Sequence, residues 1–235
     1  MTIQIQQTAQ LDKPMLVMCI YGVGGAGKTT LATTAPKPIF IDAEEGTKAL
    51  GARGINVPVI NVKTWNDVGE AWNLIKDNKD YETVVIDPTG QFIEMLIDSI
   101  AGGGSMDLKK WGEAKSRFRK FLWAVKSSGR HVLFVAHDDK KPDDQSLIRS
   151  PKVSANLSDE LVNMCDIVGY MTVHNNQRLM RVQPTLKVAA KDRFETGLEV
   201  IENPNITKLI ETVHAKFKGT KPDGVKVAAT NIASG

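Results

Sequence analysis

The chain has 235 residues, 42% hydrophobic and 24% charged, with a formal net charge of +3; that is ordinary globular composition and excludes wholesale disorder, collagen and coiled coil. No apolar run approaches the ~20 residues of a membrane span, and the opening MTIQIQQTAQLDKP lacks the basic n-region and apolar h-region of a secretory signal. At about 150 residues per domain, one α/β domain with short extensions fits, and its core needs no disulfide or metal staple. Cys19 and Cys165 stand in separate apolar stretches and read as buried thiols of a reducing compartment.

The first strand is the continuous apolar run Met15–Tyr21, as expected for a strand covered on both faces. A glycine-rich turn and a short helix from Lys28 to Thr34 follow, stopped by Pro36 and Pro38. IFIDAE (39–44), VPVINV (57–62) and TVVID (83–87) read as further strands. A helix over 66–78 carries Val68, Ala71, Trp72 and Ile75 on one stripe, and another runs from Phe92 to Ala101. Gly-Gly-Gly-Ser at 102–105 is a loop. The next helix, 107–127, places Leu108, Trp111, Phe118, Leu122 and Val125 on its apolar side, with Trp111 and Phe118 at core spacing. HVLFVAH (131–137) is a fifth strand. The polar stretch 138–156 is too long for an ordinary connection, so it is functional or disordered. A helix over 157–164 leads into the strand 166–173; RLMRVQPT and LKVAAKDRF then read as antiparallel strands, and a last helix covers 205–217. The expected organisation is an extension over 1–13, one domain over 14–217, and a frayed tail over 218–235. Strands alternating with helices predict an α/β fold, a mostly parallel sheet with helices on both faces and a C-terminal antiparallel extension.

Gly22 to Thr29, GVGGAGKT, matches G-x-x-x-x-G-K-[ST] between a predicted strand and a predicted helix, the context this phosphate-binding loop requires. Gly22, Gly24, Gly25, Ala26 and Gly27 let backbone N–H groups turn inward around phosphate. Lys28 reaches the β and γ oxygens, Thr29 ligates Mg²⁺, and Thr30 completes the cradle. Asp87 ends its strand where a carboxylate can hold the Mg²⁺ shell, unless it is only a turn aspartate before Pro88. The cofactors expected are therefore ATP and Mg²⁺. Partition and nitrogenase-like ATPases carry a lysine early in this loop; Val23 occupies that place here.

IFIDAEEGTKAL sets Asp42, Glu44 and Glu45 beside the phosphate loop. It resembles the RecA family, where the glutamate of F-I-D-A-E polarises the attacking water. The resemblance puts that role on Glu44, with Glu45 in reserve; a solvated acidic turn is the alternative. HVLFVAH resembles the RecA strand that ends in a γ-phosphate sensor, with His137 in place of the usual glutamine. VAAKDRF resembles the K-x-R finger donated across a subunit interface, which assigns Lys191 and Arg193 to a neighbour's site or, alternatively, to a surface pair partnered by Asp192 or Glu195.

In RecA-like proteins two loops bind single-stranded DNA; by order these are 101–107 and 138–156. The contacts implied are Lys140, Lys141, Arg149 and Lys152, with Lys109 and Lys110 on the basic helix, whose Lys115, Arg117, Arg119, Lys120 and Lys126 equally suit a solvated face. Over roughly 14–200 the chain resembles small phage-encoded RecA-like ATPases of single-strand annealing and recombination. The resemblance implies a homo-oligomer (ring or filament), a single-strand-binding or replication partner protein, and a place in the cytoplasm, the host's for a phage protein. A small-molecule kinase, or an ATP-gated loader or adaptor, remains the alternative.

Overall fold

The computed structural model describes residues 5, 7, 11–139, 148–154 and 157–217. Lys140, Lys141, most of the extension 1–13 and the tail 218–235 lie outside them.

The chain runs β1 (Val17–Gly22), α1 (Lys28–Ala32), β2 (Pro38–Asp42), α2 (Lys48–Gly51), β3 (Val59–Asn61), α3 (Trp65–Ile75), β4 (Thr83–Asp87), α4 (Thr89–Ala101), α5 (Leu108–Lys126), β5 (His131–His137), α6 (Leu157–Met164), β6 (Ile167–His174), β7 (Gln177–Arg181), β8 (Lys191–Asp192), β9 (Val200–Glu202) and α7 (Ile206–Phe217). All nine strands form one sheet in the order β3-β2-β4-β5-β1-β6-β7-β9, with β8 also on β6. β3 through β6 are parallel, while β7, β8 and β9 are antiparallel. The expected α/β architecture with its antiparallel C-terminal extension is present.

Alternation along the strands divides the core. Val17, Cys19 and Tyr21 of β1 face one cluster, with Val68 of α3, Phe92 and Leu96 of α4, Phe118 and Leu122 of α5, and Leu161 of α6. Leu16, Met18 and Ile20 face the other, with Leu31 of α1, Leu50 of α2, and Leu209 and Val213 of α7. Both faces are covered, which is why the parallel strands read as unbroken apolar runs. Cys19 and Cys165 are free thiols within this core, and burial pushes both well up from their ordinary range.

Local chemistry sets most helix starts. Thr64 and Asp67 form a capping box on α3: Asp67 N–H donates to Thr64 Oγ1 at 3.2 Å, and Thr64 N–H to Asp67 Oδ2 at 2.8 Å. Asp107 caps α5 by accepting from Lys110 N–H at 2.8 Å. α4 begins at Thr89, earlier than the periodicity places it, because the polar Thr-Gly-Gln turn follows directly on the extended Pro88.

Two expectations change. The segment 186–194 is not a strand along its length; only Lys191 and Asp192 join the sheet. Its first part instead turns at Thr185–Val188, and Ala189 N–H donates to the Arg149 carbonyl. Leu108 is 91% exposed and Trp111 36%, whereas Phe118, Leu122 and Val125 are buried. At 1.5 Å per residue, the 19 residues of α5 span about 28 Å, more than the roughly 23 Å of β5 beneath them. The first turns of α5 overhang the core. The loop 101–107 is tied down by Lys110, whose Nζ donates to the Ala101 and Ser105 carbonyls.

Candidate functional site: a phosphate loop at the carboxyl ends of the strands

Register brings four strand ends to one rim. Gly22 pairs with His137, and Asp42 pairs with Asp87. β5 lies between the phosphate-loop strand β1 and the Asp87 strand β4. The loop leaves β1 at Gly22, where a Cβ would fall 2.3 Å from the Met171 carbonyl oxygen of β6. Only glycine permits that approach. Gly25 and Gly27 hold left-handed backbone, with φ of 78° and 86°. Ala26 is buried and its N–H donates to the Val23 carbonyl at 3.3 Å, while Gly24 stands in open space.

Lys28 opens α1 and folds back over the loop, its Nζ donating to the Gly22 and Val23 carbonyls at 2.9 and 3.0 Å. Burial pulls this ammonium below its ordinary value, against the upward pull of Asp87 and Asp138. A lysine held by neutral carbonyls is poised to exchange them for phosphate oxygens. Thr30 accepts instead from Arg53 Nη1, at 3.2 Å.

Thr29 Oγ1 donates to Asp87 Oδ2 at 2.7 Å. Burial raises the Asp87 carboxyl to about 6; the hydroxyl of Thr29 and the charge of Lys28 lower it, and Asp42 and Glu44 raise it. This is an underneutralised carboxylate, and its donors are hard oxygens. Mg²⁺ takes one or two carboxylates and fills its octahedron with phosphate and water oxygens. The pair fits that ion. Among the described residues no cluster of three His, Cys, Asp or Glu side chains could hold a metal by itself.

Asp42 organises the turn that carries Glu44. Its buried carboxylate accepts from Glu44 N–H at 3.0 Å, Gly46 N–H at 3.3 Å, Thr47 N–H at 2.9 Å and Thr47 Oγ1 at 2.6 Å. Glu44 therefore projects past the end of β2, beside Asp87, and its Oε2 comes within 3.9 Å of His137 Nε2. Both side chains are about half exposed, so the two line the mouth of the site without forming a tight pair. Glu45 turns away into an ion pair with Lys48. Asp42 is a positioning residue that sequence reading had set only beside the loop. Asp42→Ala is expected to destabilise the protein by about 2–4 kcal/mol, in a denaturant melt, and to cut ATP turnover with it.

The segment after β5 is stitched to the same rim. Asp138 N–H donates to the Gly22 carbonyl at 3.1 Å, and Lys152 N–H to the His137 carbonyl at 2.8 Å. Asp138 is buried; Arg149 Nη1 donates to its Oδ2 at 2.7 Å, and Oδ1 has no partner among the described residues. Arg149, expected to contact DNA, is thus engaged within the chain, and its backbone carbonyl accepts from Tyr21 Oη.

The remaining expected residues lie elsewhere. Lys191 Nζ donates to the Val162 and Asn163 carbonyls at the end of α6, and Arg193 pairs with Asp166 at 2.8 Å. Asp192 is not their partner: it accepts from Phe194 N–H, Thr196 N–H and Thr196 Oγ1. Since Val17 N–H donates to Asp166, this cluster sits at the start of β1. The six residues of β1 separate it from its own phosphate loop, about 17 Å at 3.3 Å per residue. Most cations of α5 are engaged: Lys115 and Arg119 with Glu160, Arg117 with Glu113, Lys110 with the loop carbonyls, and Lys126 over Trp123. Lys109 and Lys120 are exposed on that helix.

The SPbeta prophage-derived uncharacterized protein YorG of Bacillus subtilis (strain 168) is 23% identical to this chain over 244 residues, covering 91% of the chain and 70% of that relative. No described helix is long and apolar enough to cross a membrane. The model of the AAA domain family matches residues 15–194, from the first strand through the phosphate loop and Asp87 to the β8 turn. With three quarters of its length inside that match and a phosphate loop built as such a domain requires, the chain belongs to the AAA domain family of P-loop ATPases.

Proposed function

We propose that the chain hydrolyses ATP with Mg²⁺ and that single-stranded DNA governs the reaction in recombination or strand annealing. The observation that carries the first part is the Thr29–Asp87 hydrogen bond beside Lys28, with Glu44 held across the rim by Asp42. The loop N–H groups and Lys28 bind and orient the phosphates. Mg²⁺, when bound, neutralises charge on the β and γ oxygens. Glu44 orients a water and accepts its proton as the water oxygen bonds to the γ-phosphorus; the bond to the bridging oxygen breaks and ADP departs.

Support for DNA as effector comes from the stem of the segment between β5 and α6, which hydrogen-bonds to Gly22 and His137. Charge delivered to Lys152 would be felt at the phosphate loop. Support for an oligomer comes from Lys191 and Arg193, which stand far from their own loop and would serve a neighbour's. Arg193 would have to leave the largely buried Asp166 to do so. The loader or adaptor reading draws on one observation, the exposed Leu108 and Trp111 at the overhanging start of α5, apolar side chains suited to a protein partner.

ATP turnover measured against protein concentration, with and without single-stranded DNA, tests the proposal. Turnover per subunit is expected to rise with both, and Arg193→Ala to remove the rise without loss of ATP binding. Flat turnover, indifferent to DNA, rejects the DNA and oligomer parts. A fall in melting temperature with unchanged turnover assigns Arg193 to Asp166 alone.

A further inference from the structure

β6 runs parallel to β1, with Met171 level with Gly22, and continues past the phosphate loop to His174. It then reverses through Asn175 and Asn176, whose φ values of 46° and 62° make the two-residue turn that joins twisted antiparallel strands. The returning β7 places Arg178 opposite Val173, two residues beyond the level of Gly22. Arg178 shares a sheet face with Met180, which lies in the same core cluster as Leu31 and Ala32 of α1. The hairpin therefore delivers one arginine to the α1 side of the sheet, at the height of the phosphate loop.

There the side chain rests on the loop itself. A Cβ built on Gly27 would fall 2.4 Å from Arg178 Nε and 3.1 Å from its Cδ and Cζ. The guanidinium occupies the space that any side chain at Gly27 would take. Arg178 is exposed, and among the described residues no carboxylate forms an ion pair with it. Lys28, the next residue of the loop, is likewise held only by carbonyl oxygens. Two cations stand at one glycine loop, Lys28 bonded to its carbonyls and Arg178 without an ion-pair partner among the described residues, an arrangement that an oligophosphate would complete.

We infer that Arg178 is a nucleotide-binding residue contributed in cis, its guanidinium contacting the phosphates that the loop cradles. This rests on the reading of the loop as an ATP site and adds to it a residue outside the loop. A guanidinium presents a planar fork to phosphate oxygens that a lysine cannot reproduce. The β6–β7 hairpin then becomes a clasp on the nucleotide, in contact with solvent on one side and with the loop on the other.

The test is displacement of a fluorescent ATP analogue by unlabelled ATP and by inorganic tripolyphosphate, on the full chain with Mg²⁺. Arg178→Ala is expected to weaken both competitors by the same factor, about 10- to 100-fold, at an unchanged melting temperature. Arg178→Lys should recover part of the loss. Equal factors place the contact on the phosphates, not on the base. Lys28→Ala serves as reference: wild-type binding that vanishes in Lys28→Ala but persists undiminished in Arg178→Ala overturns the role of Arg178 and leaves the ATP site standing. Tighter binding by Arg178→Ala also overturns it, and makes the arginine an occupant that nucleotide must displace. No binding by the wild type overturns both readings. Loss of ATP but not tripolyphosphate affinity moves the contact to the nucleoside and overturns the phosphate assignment.

Discussion

Glu44→Gln is expected to lower ATP turnover by roughly 10²–10⁴-fold while leaving nucleotide affinity within about twofold. The amide keeps the size and the hydrogen-bonding reach of the side chain but cannot take a proton. Nothing in the turn that carries it should change, because that turn is held through backbone N–H groups donated to Asp42. Steady-state turnover beside equilibrium binding of the same analogue separates the two quantities. Unchanged turnover removes Glu44 from catalysis and leaves His137, 3.9 Å away, as the polar group next in line at the mouth. A parallel fall in binding and turnover would instead indicate that the turn itself had moved, and a melt would show it.

Asp87→Asn is expected to act in opposite directions on stability and on function. Burial holds the Asp87 carboxyl at about 6 in the folded chain, against about 3.9 when unfolded. Between those values the folded state binds the extra proton, so stability falls as pH rises from about 4 to about 6 and the whole penalty is present above that. A two-unit difference corresponds to about 3 kcal/mol, as an order of magnitude. The nucleotide-free variant should therefore melt higher than wild type at pH 7.5, with the gap closing as pH is lowered toward 4. His131 contributes the opposite slope. Burial and His214 lower it to about 4 while its Nδ1 accepts from Leu16 N–H, so its stability contribution is lost as pH falls from about 6.5 toward 4. That term is common to both proteins and cancels in their difference. Turnover, by contrast, should drop by at least about 10²-fold in Asp87→Asn, because the one buried carboxylate bonded to Thr29 is gone. A variant no more stable than wild type at any pH would show that Asp87 is already neutralised in the free protein.

The two results belong together. On the proposed reading, the burial that raises the Asp87 carboxyl is offset by the charge that Mg²⁺ and nucleotide would bring. Lys28, bonded to carbonyls of its own loop, and Arg178, without an ion-pair partner among the described residues, would be completed in the same way.

Much of this was legible in the residues taken in order. The phosphate loop is contiguous, and its glycines, lysine and threonine act through local backbone geometry. The parallel strands announced themselves because burial on both faces leaves no room for polar alternation, as in MLVMCIY and HVLFVAH. Capping residues such as Thr64 and Asp107 work within three or four positions. What depends on contacts between distant positions was not legible. Leu108 and Trp111, three apart, and Phe118 and Leu122, four apart, both have the spacing of one helix face, yet only the latter pair lies over the sheet. The basic run of α5 reads the same whether its partners are phosphates or Glu113 and Glu160. The two-residue β8 and three-residue β9 are too short to show a period, and they exist because β6 and β7 offer them edges. Arg178 carried no motif at all; its signal was the Asn-Asn turn that aims it.

By itself the sequence determined the α/β class, the strand order of chemistry and the identity of the phosphate loop, since each is written in short-range spacing that backbone sterics and burial enforce. The tertiary structure alone decided which charges meet. It set Asp42 under Glu44, Asp87 against Thr29, Arg193 on Asp166 and Arg178 on Gly27, across separations in the chain from two residues to well over a hundred. Electrostatic interactions depend on distance and on the water removed between partners, and neither quantity exists until the sheet has assembled.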